Sequence, residues 1–331
     1  MSQYTNIKDK KGTKNMELTN EKVLGKQSKL VRSIASVIMI VLMTATAELL
    51  NEKEIIFPEI AALVIGAWFV DRQPWRVNRI KLVILMSLSA IVGISIVRFV
   101  PLPMFWQVAI GFAFAGVSLT VSTTTLVPMI SACILPIYLR TTTIIYPISV
   151  FAMVLIITLV QKLFETGNYI EQVSYQPVDM SFREGLFYYG KRILVFLILA
   201  WWPIHKGQLY VIAPPLIVTF IEFTNVKAKL RVQYTKIIVI VGIAAVIGTI
   251  SRLYLYESQG VSLTVCTLLI VISMLLFFSF YNISFPPAGA IGMLPLILKL
   301  EGLIYYPILV VLGCLILVAA AMICFREEIK V

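Results

Sequence analysis

The chain predicts an all-α polytopic membrane protein, with about 12 transmembrane helices arranged as two parallel six-helix repeats. Three observations predict it. Hydrophobic residues make up 59% of the 331 positions and charged residues 14%, more apolar surface than a water-soluble fold can cover. The basic residues gather in short loops between apolar runs, the distribution that membrane orientation produces. Finally, the sequence comes near to repeating itself. Arg76, Val77, Lys81, Ala90 and Gly93 return at the same spacing as Arg231, Val232, Lys236, Ala245 and Gly248. Leu135, Pro136 and Leu139 return as Leu294, Pro295 and Leu298, and Tyr146, Pro147 and Ile148, after a one-residue slip, as Tyr306, Pro307 and Ile308.

Taken in order, residues 1–29 are polar and Lys-rich and read as a disordered cytosolic tail with no cleavable leader. The first half, residues 30–164, holds apolar segments near 30–50, 55–70, 82–97, 102–121, 123–139 and 144–164. Residues 165–187, with Glu165, Glu171, Asp179, Arg183 and Glu184, form a polar linker. The second half, residues 188–325, holds segments near 188–205, 209–225, 237–256, 261–281, 283–298 and 303–325, and residues 326–331 end the chain in the cytosol.

Orientation follows from the Lys and Arg distribution. With the N-terminus inside, only Lys53, Arg98, Arg140, Lys206, Arg252 and Lys299 of the 28 basic residues fall outside. The fifth segment of each half is short and broken by proline. If it failed to cross, the basic loops at Arg76 and Arg231 would face opposite sides. Since both are strongly basic, six crossings per half and parallel halves are expected, with an inverted repeat as the alternative. The localisation expected is the cell membrane, with both termini cytosolic.

The most distinctive run is Tyr281-Asn282-Ile283-Ser284-Phe285-Pro286-Pro287-Ala288-Gly289-Ala290, opening the eleventh segment. Prolines lack the backbone donor and are tolerated at a helix start, where donors are free in any case. Free amides at such a start, with the positive end of the helix dipole, suit an anion. The first half offers Ser122, Thr123, Thr124, Thr125 and Pro128 in the matching place. Two broken helices in matching positions mark a transport site between the halves. The plainer reading is tight packing, with hydroxyls bonded to their own helix.

The FPPAGA run resembles the HPP family of integral membrane proteins, named for a His-Pro-Pro motif followed by Ala-Gly-Ala. The likeness covers about residues 209–300, through Pro215, Glu222, the basic loop and Gly248, and more faintly the matching part of the first half. Phe285 stands where the family has His, and the first half keeps only Pro128. Plastid and cyanobacterial members are associated with nitrite transport, so the resemblance implies a small-anion carrier. Residues 57–93 and 212–248 are also similar to the fusaric-acid-resistance and aromatic-acid exporter permeases, whose large cytosolic regions have no counterpart here.

Charges near the spans complete the candidate set. Arg98 with Arg252, and Arg140 with Lys299, occupy matching outer ends and would concentrate an anion at one mouth; the alternative is that each anchors its helix at the headgroups. Glu59, just after Pro58, is the candidate proton-coupling residue, because an acid within lipid is expensive without a cavity or a cation. Glu222 is expected to pair structurally with Lys227, Lys229 or Arg231. The five tryptophans (Trp68, Trp75, Trp106, Trp201, Trp202) read as interfacial anchors, Gly93 and Gly248 as points of close helix approach, and His205 as a bystander.

The scattered Cys133, Cys266, Cys314 and Cys324 and the single His offer no disulfide framework and no metal set, and no cofactor is expected. With no nucleophile–base constellation and no nucleotide loop, an enzyme is not expected. Nor is nucleic acid, since the +11 charge lies in loops. Membrane lipid and a small anion are the expected partners, and the oligomeric state, homo-oligomer included, stays open. The expected function is a secondary transporter of a small or organic anion, with a non-transporting membrane scaffold and an aromatic-acid-exporter-like permease as alternatives.

Overall fold

The computed structural model describes residues 3–71, 73–172, 175–226 and 228–326, with the backbone alone for 3–24 and 26. Among these residues the regular structure is entirely helical, with helices α1 (Gln3–Leu49), α2 (Glu59–Val64), α3 (Arg79–Phe99), α4 (Met104–Ser122), α5 (Pro128–Leu139) and α6 (Ile145–Thr166), then α7 (Phe182–His205), α8 (Pro214–Thr224), α9 (Tyr234–Ile250), α10 (Leu263–Tyr281), α11 (Pro286–Met293) and α12 (Tyr306–Cys324). π-helical turns extend α2 through Ile65–Phe69 and α9 through Ser251–Ser258. Eight stretches are long and apolar enough to cross a membrane: Gln27–Leu49 of α1, then α3, α4, α6, α7, the continuous Lys229–Ser258 around α9, α10, and Leu303–Cys324 around α12. The fold is therefore an all-α, multi-pass membrane fold.

The long helices are two-faced, and both faces are apolar. On α3, Ile80, Ile84, Leu88 and Ile91 point outward, while Leu82, Leu85, Met86, Ala90 and Gly93 are buried. Helices with this pattern have protein on one side and hydrocarbon on the other. The remaining helices, α2, α5, α8 and α11, are short and buried almost all round. The 12 residues of α5 rise about 18 Å, well short of the roughly 30 Å of a bilayer core, and the non-helical residues before them supply further length. α5 packs on α2, α3, α4 and α8, and α11 on α2, α8, α9 and α10, so α2 and α8 stand between them. Around this centre the long helices pair as α1 with α10, α4 with α7, α3 with α6 and α9 with α12.

Side-chain contacts define the two ends of the bundle. At one, Arg32 bonds the Trp68 carbonyl and Asp71, Arg79 pairs with Glu165, and the Arg76 amide donates to Thr125. Trp75 lies against Glu222, and Arg231 donates to the carbonyls of Phe325 and Met322, which brings the Arg231 loop to the Arg76 end. At the other end Arg140 donates to Gln107, Thr143 to Glu54, and Tyr210 to the Glu301 carbonyl.

Several expectations change here. The tail read as disordered continues α1 back to Gln3; it holds no proline and many residues that favour helix. Trp68 and Trp75 are core residues, 1% and 4% exposed, because α2 and the loop after it lie inside the bundle rather than at its rim. Trp106, Trp201 and Trp202 are half exposed, as anchors would be. Arg231, expected opposite Glu222, goes to carbonyl oxygens at the end of α12; Lys227 lies outside the described residues.

Candidate functional site

The two broken-helix starts lie at the Arg76 end. Thr123 and Asn282, which match in the repeat, each close the preceding helix in the left-handed conformation, with φ of 54° and 51°. For asparagine this is ordinary; for a β-branched threonine it is strained. The first-half hydroxyls are committed. Ser122 Oγ pairs with Thr124 Oγ1 at 2.8 Å, Thr123 Oγ1 donates to the Ser122 carbonyl at 2.7 Å, and Thr125 Oγ1 accepts from the Arg76 amide at 2.8 Å. The linker then covers them. Lys81 Nζ donates to the Ser122 carbonyl at 2.7 Å and to Tyr175 Oη at 2.9 Å, and the Val178 amide donates to the Thr123 carbonyl. Burial works against ionisation of Tyr175, but its hydrogen bonds with Lys81 and Thr123 and the Lys81 charge outweigh it, bringing the hydroxyl below the ordinary tyrosine range.

Several of the backbone donors expected to face an anion are spent. Pro286 and Pro287 have none, and the Ala288 amide donates to the Phe285 carbonyl; at α5, Met129 and Ile130 donate to Leu126 and Val127. Pro286, Pro287, Ala288, Gly289 and Ala290 are all buried, Ser284 is half-buried and Asn282 is exposed. Gly289 presses on Ile65 and Ala61 of the α2 segment. Neither start lines the molecule's large cavity, and the short α2 and α8 each pack against both α5 and α11.

A cavity of about 880 Å³ opens instead at the opposite ends of the same two helices. Arg140, directly after α5, and its repeat match Lys299, beyond the 3-10 turn Leu294–Leu296 that follows α11, both line it, together with Lys53, Glu54 and Glu301. Its walls are otherwise mostly apolar and aromatic, including Tyr138, Tyr146, Tyr210, Tyr305, Leu139 and Leu298. Glu54 accepts from Thr143, and the guanidinium of Arg140 is steadied by Gln107 Oε1 at 2.6 Å. The buried Tyr138 hydroxyl has no hydrogen-bond partner among the described residues. Arg98 and Arg252 do not join this group. Arg98 is exposed elsewhere, and Arg252 is carried inward by the π-helical turn, where it pairs with Glu257 and lies 4.7 Å over Tyr256.

Beneath the cavity lies Glu59, 1% exposed. Ser131 of α5 donates to Oε1, and Oε2 has no partner. Tyr146, in the cavity wall, and Tyr306 are both within electrostatic reach of this carboxyl. Glu48 takes another role: its carboxylate caps the start of α10, accepting from the Thr264 amide at 2.9 Å.

Sequence reasoning named Arg140, Lys299 and Glu59 but missed Lys53, Ser131 and the tyrosines of the cavity. The signal available was the recurrence of Tyr146 as Tyr306, which marked the repeat without marking the site. Comparison of the chain with known protein families, with curated proteins and with solved structures gives no match.

Proposed function

We propose that the protein is a secondary transporter for a small or organic anion, working in the cell membrane as two parallel six-helix units with cytosolic termini. The observation that carries this reading is the cavity between the units, where Arg140 and Lys299 stand at matching ends of two interrupted helices. Cations on low-dielectric walls concentrate anions, and Arg140 is held in position rather than left free. The unpartnered Tyr138 hydroxyl offers a donor for a substrate oxygen. The FPPAGA likeness to the HPP family points the same way. In this reading the substrate is captured at the outer ends of α5 and α11, and their proline-broken starts serve as packing devices that admit relative movement.

Uptake of radiolabelled carboxylates and inorganic anions by proteoliposomes tests the proposal. Saturable flux, reduced by Arg140→Gln and Lys299→Gln, is expected. Absence of flux for every anion tried would reject it. The closed packing of the helix starts favours a second reading, a non-transporting membrane partner subunit; that reading gains if no flux is found and a stoichiometric partner co-purifies.

A further inference from the structure

Glu59 occupies an unusual place: a carboxyl sealed inside a membrane bundle without a paired cation among the described residues. Its Oε1 accepts from Ser131 and its Oε2 is buried with no partner. The groups facing it are few. From α5 come Ser131 and, against Tyr146, Cys133; α6 supplies Tyr146 and α12 supplies Tyr306. α1 carries no titratable side chain from Met39 to Ala47, and α11 carries none at all. Phe57, two residues earlier, meets the Tyr146 ring edge-on at 5.6 Å. An ionised carboxylate here would need a cation or several donors; it has one hydroxyl.

Both tyrosines have their hydroxyls committed, Tyr146 to the Ala132 carbonyl and Tyr306 to the Ile291 carbonyl, each at 2.8 Å. Neither is free to donate to the carboxylate. A proton would neutralise the acid, and Tyr146, within electrostatic reach of it, lines the large cavity. The second half has no counterpart: by the repeat spacings, Pro214 stands at the Glu59 position and Ala290 at the Ser131 position.

We propose that Glu59 is a proton site of this molecule, a neutral carboxylic acid in the conformation seen here, exchanging a single proton with the cavity past Tyr146. The step is Glu59 COOH to COO⁻ with the proton passing to cavity water, and its reverse. Its use in coupling rests on the transporter reading; the protonation itself does not.

Infrared spectroscopy of the purified full chain tests it. The expected result is protonated-carboxyl carbonyl absorption at neutral pH with one component that is lost in Glu59→Gln and shifted to higher frequency in Ser131→Ala, which removes the hydrogen bond to that carbonyl. If Glu59→Gln does not fold, the Ser131→Ala shift alone decides. Lack of such a band, a band indifferent to both substitutions, or a band abolished by sodium at constant pH would overturn the proposal. Flux is read separately in proteoliposomes, so a protonated Glu59 without transport rejects the transporter, and transport without it rejects the proton site.

Discussion

Tyr146 donates its hydroxyl to the carbonyl of Ala132 at 2.8 Å, the acceptor that Pro136, four residues on and without an N–H, leaves open. The same device recurs in the second half. Tyr306 donates to Ile291 at 2.8 Å, and Pro295 stands four residues beyond it. A proline-broken helix in lipid must have its freed carbonyls satisfied from elsewhere, and here a tyrosine from the following helix does so.

This arrangement predicts paired losses. Tyr146→Phe and Tyr306→Phe each leave a buried carbonyl unsatisfied and should each cost about 1–3 kcal/mol, read as a lower unfolding temperature in detergent. Pro136→Ala restores the missing donor, so adding it to Tyr146→Phe should recover part of the loss. A double variant no more stable than Tyr146→Phe alone would show that the hydroxyl acts in some other way.

The glycines give a second matched pair. A Cβ on Gly93 would meet the Cys133 carbonyl oxygen at 2.3 Å, and one on Gly248 the Gly292 carbonyl oxygen at 2.2 Å. Backbone cannot step aside as a side-chain tip can, so α3 and α9 would have to move off α5 and α11. Gly93→Ala and Gly248→Ala should each destabilise by about 1–3 kcal/mol, by similar amounts, in thermal or denaturant unfolding. A neutral result at either would mean that the interface yields.

Much of this was legible in the chain, and the reasons for the exceptions are physical. The apolar runs made an all-helical, multi-pass membrane fold legible, because lipid leaves the backbone no other partner than itself, and eight stretches among the described residues are long and apolar enough to cross. Glu59 stood out for the same reason, as a charge where lipid tolerates none. The proposed site lies at the other ends of these helices because a proline-led helix start advertises free donors in sequence, whereas in space Ala288, Met129 and Ile130 turn theirs back on Phe285, Leu126 and Val127. Trp68 and Trp75 were misplaced because sequence gives depth along the membrane but not distance from the bundle axis. Ser131, one hydroxyl among apolar residues, acquires meaning only beside Glu59.

The linker makes a separate prediction. Tyr175 bridges Lys81 and Thr123 over the first helix break, a charge-assisted contact worth about 1 kcal/mol once solvent exposure is allowed for. Tyr175→Phe should raise hydrogen exchange across residues 175–178 several-fold. Docking lowers the tyrosine pKa, so it adds stability as pH rises through the lowered value towards the ordinary one, and that gain disappears as pH falls back through it. Protection, the slowing of exchange relative to an unfolded chain at the same pH, should rise over this alkaline window in the parent and not in Tyr175→Phe. Equal exchange in both proteins at every pH would show that the contact holds nothing down.

Topology can be checked directly. Single cysteines replacing Arg76 and Arg231, introduced after removal of Cys133, Cys266, Cys314 and Cys324, should react with an impermeant maleimide from the same face of the membrane. The contacts of Trp75 with Glu222 and of Arg231 with Phe325 put both loops at one end of the bundle. Labelling from opposite faces would contradict both the packing and the parallel arrangement proposed for the two units.

The cations of the cavity separate capture from turnover. Arg140 and Lys299 line the opening with Lys53, and a unit charge about 4 Å from a bound anion in a water-filled space is worth about 1 kcal/mol, close to fivefold in affinity. Arg140→Gln and Lys299→Gln should therefore each raise the KM for anion uptake about fivefold and leave kcat nearly unchanged. Their effects should combine additively, because the charges act through the bound anion rather than on each other. Added salt should narrow the difference between parent and variants, since a wet cavity is screened. Arg98→Gln, outside the cavity, serves as the control and should change none of these quantities. A kcat loss at Arg140 with an unmoved KM would assign that residue to the conformational step, and an equal loss at Arg98 would show that the effect is one of overall charge.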